Sequence, residues 1–158
     1  MSLDDEVQLV TFTIAGHGFA FDVSRVERIL RYIDPAPLPE APGFLEGTIQ
    51  YGDELLPVVD LRKRFSAPAP VVEETRIIVV DWETGRAGMV ADKVLEVLKV
   101  AADDIRPPPP IVRGMAARYV SGIARIGEQT TIVLAASKLL DDEEQITLDK
   151  LTTGSSHE

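Results

Sequence analysis

A chain of 158 residues with 45% apolar content is long enough to bury one sizeable core or two small ones that share a boundary. It has no cysteine, which excludes disulfides, thiolate metal sites and a cysteine nucleophile. Its net charge of −10 sits at the ends: residues 7–140 carry 17 acidic and 15 basic side chains, so there is no basic face to follow a phosphate backbone and nucleic acid is not an expected partner.

The chain begins Met1-Ser2-Leu3-Asp4-Asp5-Glu6, without the basic start and apolar stretch of an export signal, and no apolar run is long enough to span a bilayer. A cytoplasmic location without membrane insertion is expected. Val7 to Ile14 alternates as a strand, Gly16-His17-Gly18 supplies a loop, and Phe19, Phe21 and Val23 alternate again to complete a hairpin. At Val26, Ile29 and Leu30 the spacing becomes that of a short helical turn capped by Asp22 or Ser24, with strand as the alternative reading. Pro35, Pro37, Pro39 and Pro42 impose an extended connection. Two strands follow, Leu45–Tyr51 and Leu55–Val59, around Gly52-Asp53, with Pro57 expected at an edge or bulge. Asp60 caps a helical turn through Phe65, whose Arg62-Lys63-Arg64 run reads as a solvated face.

Ser66-Ala67-Pro68-Ala69-Pro70 is a linker, after which the same order of elements returns. Arg76–Trp82 and Arg86–Ala91 form a second hairpin around Glu83-Thr84-Gly85. Val94, Val97 and Leu98 repeat Val26, Ile29 and Leu30 at a displacement of 68, and Pro107–Pro110 mirrors the first proline segment. Leu45 to Asp53 aligns without gaps to Val120 to Glu128 at a displacement of 75, matching Gly47 with Gly122 and Gly52 with Gly127. The change from 68 to 75 places a short insertion within residues 99–119. An internal duplication follows. The expected fold is all-β with short helical turns: one unit over residues 7–140, built from a first barrel at about 7–66, a linker at 66–75 and a second barrel at about 76–140. Each has about five strands and closes its own edges. Residues 141–158 form an acidic, polar tail in which Ile146, Leu148 and Leu151 can pack as a last helical turn before a flexible end.

Catalytic equipment is sparse. His17 lies in a loop and His157 in the tail, neither beside a nucleophile signature, and no metal ligand set exists. Asp60 is better explained as a cap than as an acid–base group, and Asp53, Glu54, Asp103 and Asp104 as solvated loop residues. No phosphate-binding glycine loop is present. No cofactor and no enzymatic activity are expected.

The stretch Gly47-Thr48-Ile49-Gln50-Tyr51-Gly52-Asp53-Glu54-Leu55-Leu56-Pro57-Val58-Val59-Asp60-Leu61-Arg62-Lys63-Arg64-Phe65 resembles the signature of the CheW family of chemotaxis coupling proteins. Phe21-Asp22-Val23 with Val26 and Ile29, Asp104-Ile105-Arg106-Pro107 and Lys138-Leu139-Leu140 resemble its other motifs. The resemblance implies two SH3-like barrels and a scaffold that couples the cytoplasmic hairpin tip of a chemoreceptor to the regulatory domain of a CheA-like histidine kinase. Carried over by position, Val26, Arg28, Ile29 and Gly52 fall at the receptor interface, although core packing explains Val26 and Ile29 equally well. Arg106 and Ile111 fall near a kinase-docking edge, and Gly47, Pro57, Asp60 and Gly122 belong to the structural signature. The family's characteristic arginine is replaced by Gly52, and the glutamate thought to pair with it by Arg28. Both charges have changed, which implies a rewired surface. The alternatives are a docking module of an auxiliary, non-flagellar pathway that binds one partner only, and a small β-barrel enzyme.

Overall fold

The computed structural model describes residues 5–83, 85–107, 118–141 and 143–148. Among them, apolar and polar alternation builds eleven strands: β1 Glu6–Ile14, β2 His17–Asp22, β3 Val26–Arg31, β4 Leu45–Tyr51, β5 Glu54–Asp60, β6 Arg76–Trp82, β7 Gly85–Ala91, β8 Lys93–Ala101, β9 Ile105–Arg106, β10 Val120–Ile126 and β11 Gln129–Leu134. The one-turn helix α1 spans Leu61–Arg64, and a helix over residues 143–148 closes the described chain.

The strands form two sheets, one ordered β8-β1-β2-β11-β10-β9 and the other β3-β6-β7-β5-β4. This corrects the expected division at the linker. Neither sheet is made from one half of the sequence, because the β1–β2 hairpin pairs with strands of the second half and the β6–β7 hairpin with strands of the first. The connections explain the exchange. Only the 3₁₀ turn Val23–Arg25 separates β2 from β3, and only Asp92 separates β7 from β8. So short a link, redirected at Val23–Arg25 by an Asp22 side chain that accepts from the Ser24 amide, throws the next strand onto the other sheet. Two parallel pairs, β2 with β11 and β5 with β7, stitch the halves together.

The duplication is exact in register. Val97 lies opposite Val10 as Ile29 lies opposite Ile78, and Leu98 opposite Leu9 as Leu30 opposite Ile77. The irregularities repeat as well: β3 shifts register at Glu27 and β8 at Leu95, while β4 shifts at Glu46 and β10 at Ser121. Val26, Ile29 and Leu30 therefore belong to a strand, as do Val94, Val97 and Leu98. The β-branched content prevails over a helical spacing that a bulge imitates. His17 is likewise the exposed first residue of β2, the turn itself being Ala15-Gly16. Pro57 sits one residue before β5 begins to pair with β7, where its missing N–H costs no ladder bond on that side.

Buried side chains divide by strand alternation. On β6, Ile77 and Val79 join Ile49, Leu56, Val58 and Val90 in a cluster belonging to the five-stranded sheet. Ile78 and Val80 point the other way, into a larger cluster between the sheets with Phe12, Phe21, Leu61, Met89 and Leu134. The other sheet holds its own cluster of Leu9, Ala20, Val100, Ala124 and Val133. Leu148, from the closing helix, is buried in the shared cluster, whereas Ile146 is exposed.

Candidate functional site

The residues marked in the first half gather at one end of the five-stranded sheet. Val26 is half-buried against the shared core, while Arg28 and Ile29 are exposed on β3, an edge strand. Gly52 makes the tight β4–β5 turn with φ +61°, a value glycine adopts at low cost. The surroundings of this turn are charged. Tyr51 Oη donates to Glu27 Oε1 at 2.7 Å, and Arg86 Nη1 donates to the same oxygen at 2.7 Å. The Arg86 guanidinium lies 5.7 Å over the Tyr51 ring, with Nη2 3.7 Å from Glu54 Oε1. Burial, then the hydrogen bond and charge of Glu27, push the Tyr51 hydroxyl above its usual pKa despite Arg28 and Arg86. Strands β3, β4 and β7 thus bring one carboxylate, one phenol and one guanidinium into contact, and β5 adds the looser carboxylate of Glu54. Nothing in the local sequence marked Glu27, Tyr51 or Arg86; comparison with the duplicate, where Gly18 stands for Arg86, was the signal available.

A second polar constellation is internal. Asp60 caps α1 by accepting from the Arg62 amide at 2.9 Å, and it binds Arg62 Nε at 3.0 Å and Nη2 at 3.1 Å. Arg62 Nη1 reaches Asp92 Oδ1 at 3.2 Å and the Pro70 carbonyl at 3.3 Å, while Asp92 Oδ2 accepts from the Ala15 amide. Arg62 is only 3% exposed, so it is no part of a solvated basic face. Burial alone would lower its pKa, but hydrogen bonds and charge from Asp60 and Asp92 outweigh this and hold it raised. Its neighbours in the run are paired too, Lys63 with Glu46 and Arg64 with Glu144.

In the second half, Arg106 is exposed on β9 at the end of its sheet, opposite Ile123. Ile111, its companion as a kinase-edge candidate, lies outside the described residues. A Cβ on Gly122 would stand 2.6 Å from Ile105 Cγ2, and one on Gly47 would collide with the Ala36 carbonyl oxygen. Both signature glycines let the segment before them cross at close range. An open cleft of about 270 Å³ lies between Phe44, Glu46, Val59, Asp60, Lys63 and Arg64, but its carboxylates are already committed to Lys63 and Arg62. Among the described residues no cluster of histidine and carboxylate side chains is placed to hold a metal, and no helix is long and apolar enough to cross a membrane.

A family model described as the CheW-like domain matches residues 8–144. The chain belongs to the CheW-like family. It is 30% identical over 146 residues to a chemotaxis protein CheW of Treponema pallidum, covering 89% of this chain and 86% of that one. It is 32% identical to the protein FrzA of Myxococcus xanthus, covering 89% of each. In three dimensions it is similar to the scaffolding protein TtCheW of Thermoanaerobacter tengcongensis, with a TM-score of 0.77 and 30% identity, covering 85% of this chain and 88% of that one. As a member of this family the chain is a chemotaxis scaffold.

Proposed function

We propose that this chain couples the cytoplasmic hairpin tip of a chemoreceptor to the regulatory domain of a CheA-like histidine kinase, acting in the cytoplasm and without a cofactor. The observation that carries this reading is the CheW-like match across nearly the whole fold, together with the likeness to a scaffolding protein that covers 85% of this chain and 88% of that one. Val26, Arg28, Ile29 and the Gly52 turn serve the receptor, and an apolar face of a helical hairpin suits the exposed Ile29 beside a half-buried Val26. Arg106 and Ile111 serve the kinase. Coupling of this kind needs only that binding differ between states of the partner; no bond is made or broken.

A narrower reading is favoured by the replaced charges at Arg28 and Gly52: a docking module of an auxiliary, non-flagellar pathway that holds one partner. Mixing the purified chain with its cognate kinase regulatory domain and with a soluble receptor-tip fragment separates the two. Complexes with both, and a ternary complex when all three are mixed, are expected for the coupler. Binding to one alone selects the docking module, and no complex with the kinase domain rejects the coupling role.

A further inference from the structure

The duplicated fold supplies an internal control on the cluster at the end of the five-stranded sheet. Each residue there has a counterpart on the other sheet at the same register. Glu27 corresponds to Leu95 at the equivalent bulge, Tyr51 to Ile126 at the strand end, Arg86 to Gly18 on the hairpin, and Glu54 to Gln129. The second copy builds the same bulges and turn, including a Gly127 φ of +63°, with no charge at any of these places. The architecture therefore does not need the glutamate, the phenol or the guanidinium. They also offer little stability, since an ion pair with both members about a third exposed is worth at most about 1 kcal/mol.

The cluster does hold a guanidinium in place. Glu27 fixes Nη1 and the Tyr51 ring supports its face, so Arg86 loses little freedom on meeting a ligand. Among the described residues, Nε and Nη2 of Arg86 make no hydrogen bond, Glu54 being 3.7 Å from Nη2. That side of the fork can take an incoming carboxylate in place of the long, largely exposed pair with Glu54.

We propose that Arg86, positioned by Glu27 and Tyr51, is a specificity-determining residue of the receptor-facing surface and binds an acidic side chain on the α-helical hairpin. This rests on the reading of that surface given above. The counterpart surface, with Leu95 and Val97 about half exposed, offers no such anchor, so the two copies have diverged to accept chemically different partners.

The test is titration of the full chain with a dimeric, soluble fragment of a chemoreceptor tip from the same organism, at two salt concentrations. Arg86→Ala is expected to weaken binding about 10- to 30-fold, as loss of a central arginine anchor does, and to flatten the salt dependence. Arg86→Lys, which keeps the charge but not the fork, falls between. The thermal midpoint serves as the folding control and should stay within a few degrees. Unchanged affinity for a folded Arg86→Ala overturns the assignment of Arg86 alone. Failure of the unsubstituted chain to bind any tip fragment overturns the receptor-facing reading as well.

Discussion

Replacing Arg62 with methionine removes a guanidinium that touches Asp60, Asp92 and the Pro70 carbonyl, while leaving most of its volume filled. Breaking a buried pair from one side costs about 3–5 kcal/mol, because the remaining charge keeps its desolvation penalty and loses its partner. Two features favour the lower end here. Asp60 keeps the Arg62 backbone amide as a donor, and Asp92, whose side chain is 27% exposed, can take up water. A loss of about 3 kcal/mol corresponds to a fall in thermal midpoint of roughly 6–12 °C for a chain of this size. Calorimetry or urea unfolding of Arg62→Met, Asp60→Asn and the double variant measures it. Asparagine retains the cap acceptor, so the double variant is expected to be at least about 1.5 kcal/mol more stable than the two single losses add up to. A cost below about 1 kcal/mol for Arg62→Met, or strict additivity in the cycle, would refute the view that Asp60 and Arg62 form a coupled buried pair.

Gly122→Ala forces a Cβ against Ile105 and the Arg106 carbonyl, and should cost about 1–3 kcal/mol by urea unfolding, with amide exchange quickening first in β9 and β10. Leu148→Ala empties a buried site in the shared core; a loss of about 2–4 kcal/mol is expected, and a near-neutral result would mean that the closing helix is dispensable. The Tyr51 hydroxyl, with its pKa raised in the folded state, contributes stability that is full below the unfolded value near 10 and is lost as pH rises through the folded value. Tyr51→Phe should therefore remove part of the alkaline decline of the thermal midpoint above about pH 10, and an unaltered pH profile would contradict the contact with Glu27.

Strand alternation made most of the fold legible. The hairpins, the Asp60 cap and the duplication all stand as the residues imply. The exchange of hairpins between halves was not legible, because apolar periodicity records which face is buried and not which strand lies alongside. The β3 and β8 segments were misread for a local reason: an extra residue at Glu27 or Leu95 shifts the alternation and gives a helix-like spacing. Arg62 was taken as solvated because its partner Asp92 is thirty positions away. The candidate surface was half visible. Its β3 residues carried the family pattern, whereas Arg86 reaches it across the sheet from a hairpin whose sequence looks like ordinary turn flank.

The shared ownership of both sheets also fixes when they can be completed on the ribosome. Strand β2 is finished at Asp22, but its parallel neighbour β11 starts only at Gln129, about a hundred residues later. At about 5–20 residues per second the first hairpin waits roughly 5–20 s for that partner, one apolar edge uncovered. The sheet begun first is the sheet closed last, so the emerging chain passes through a window in which any other free strand edge competes for the place reserved for β11.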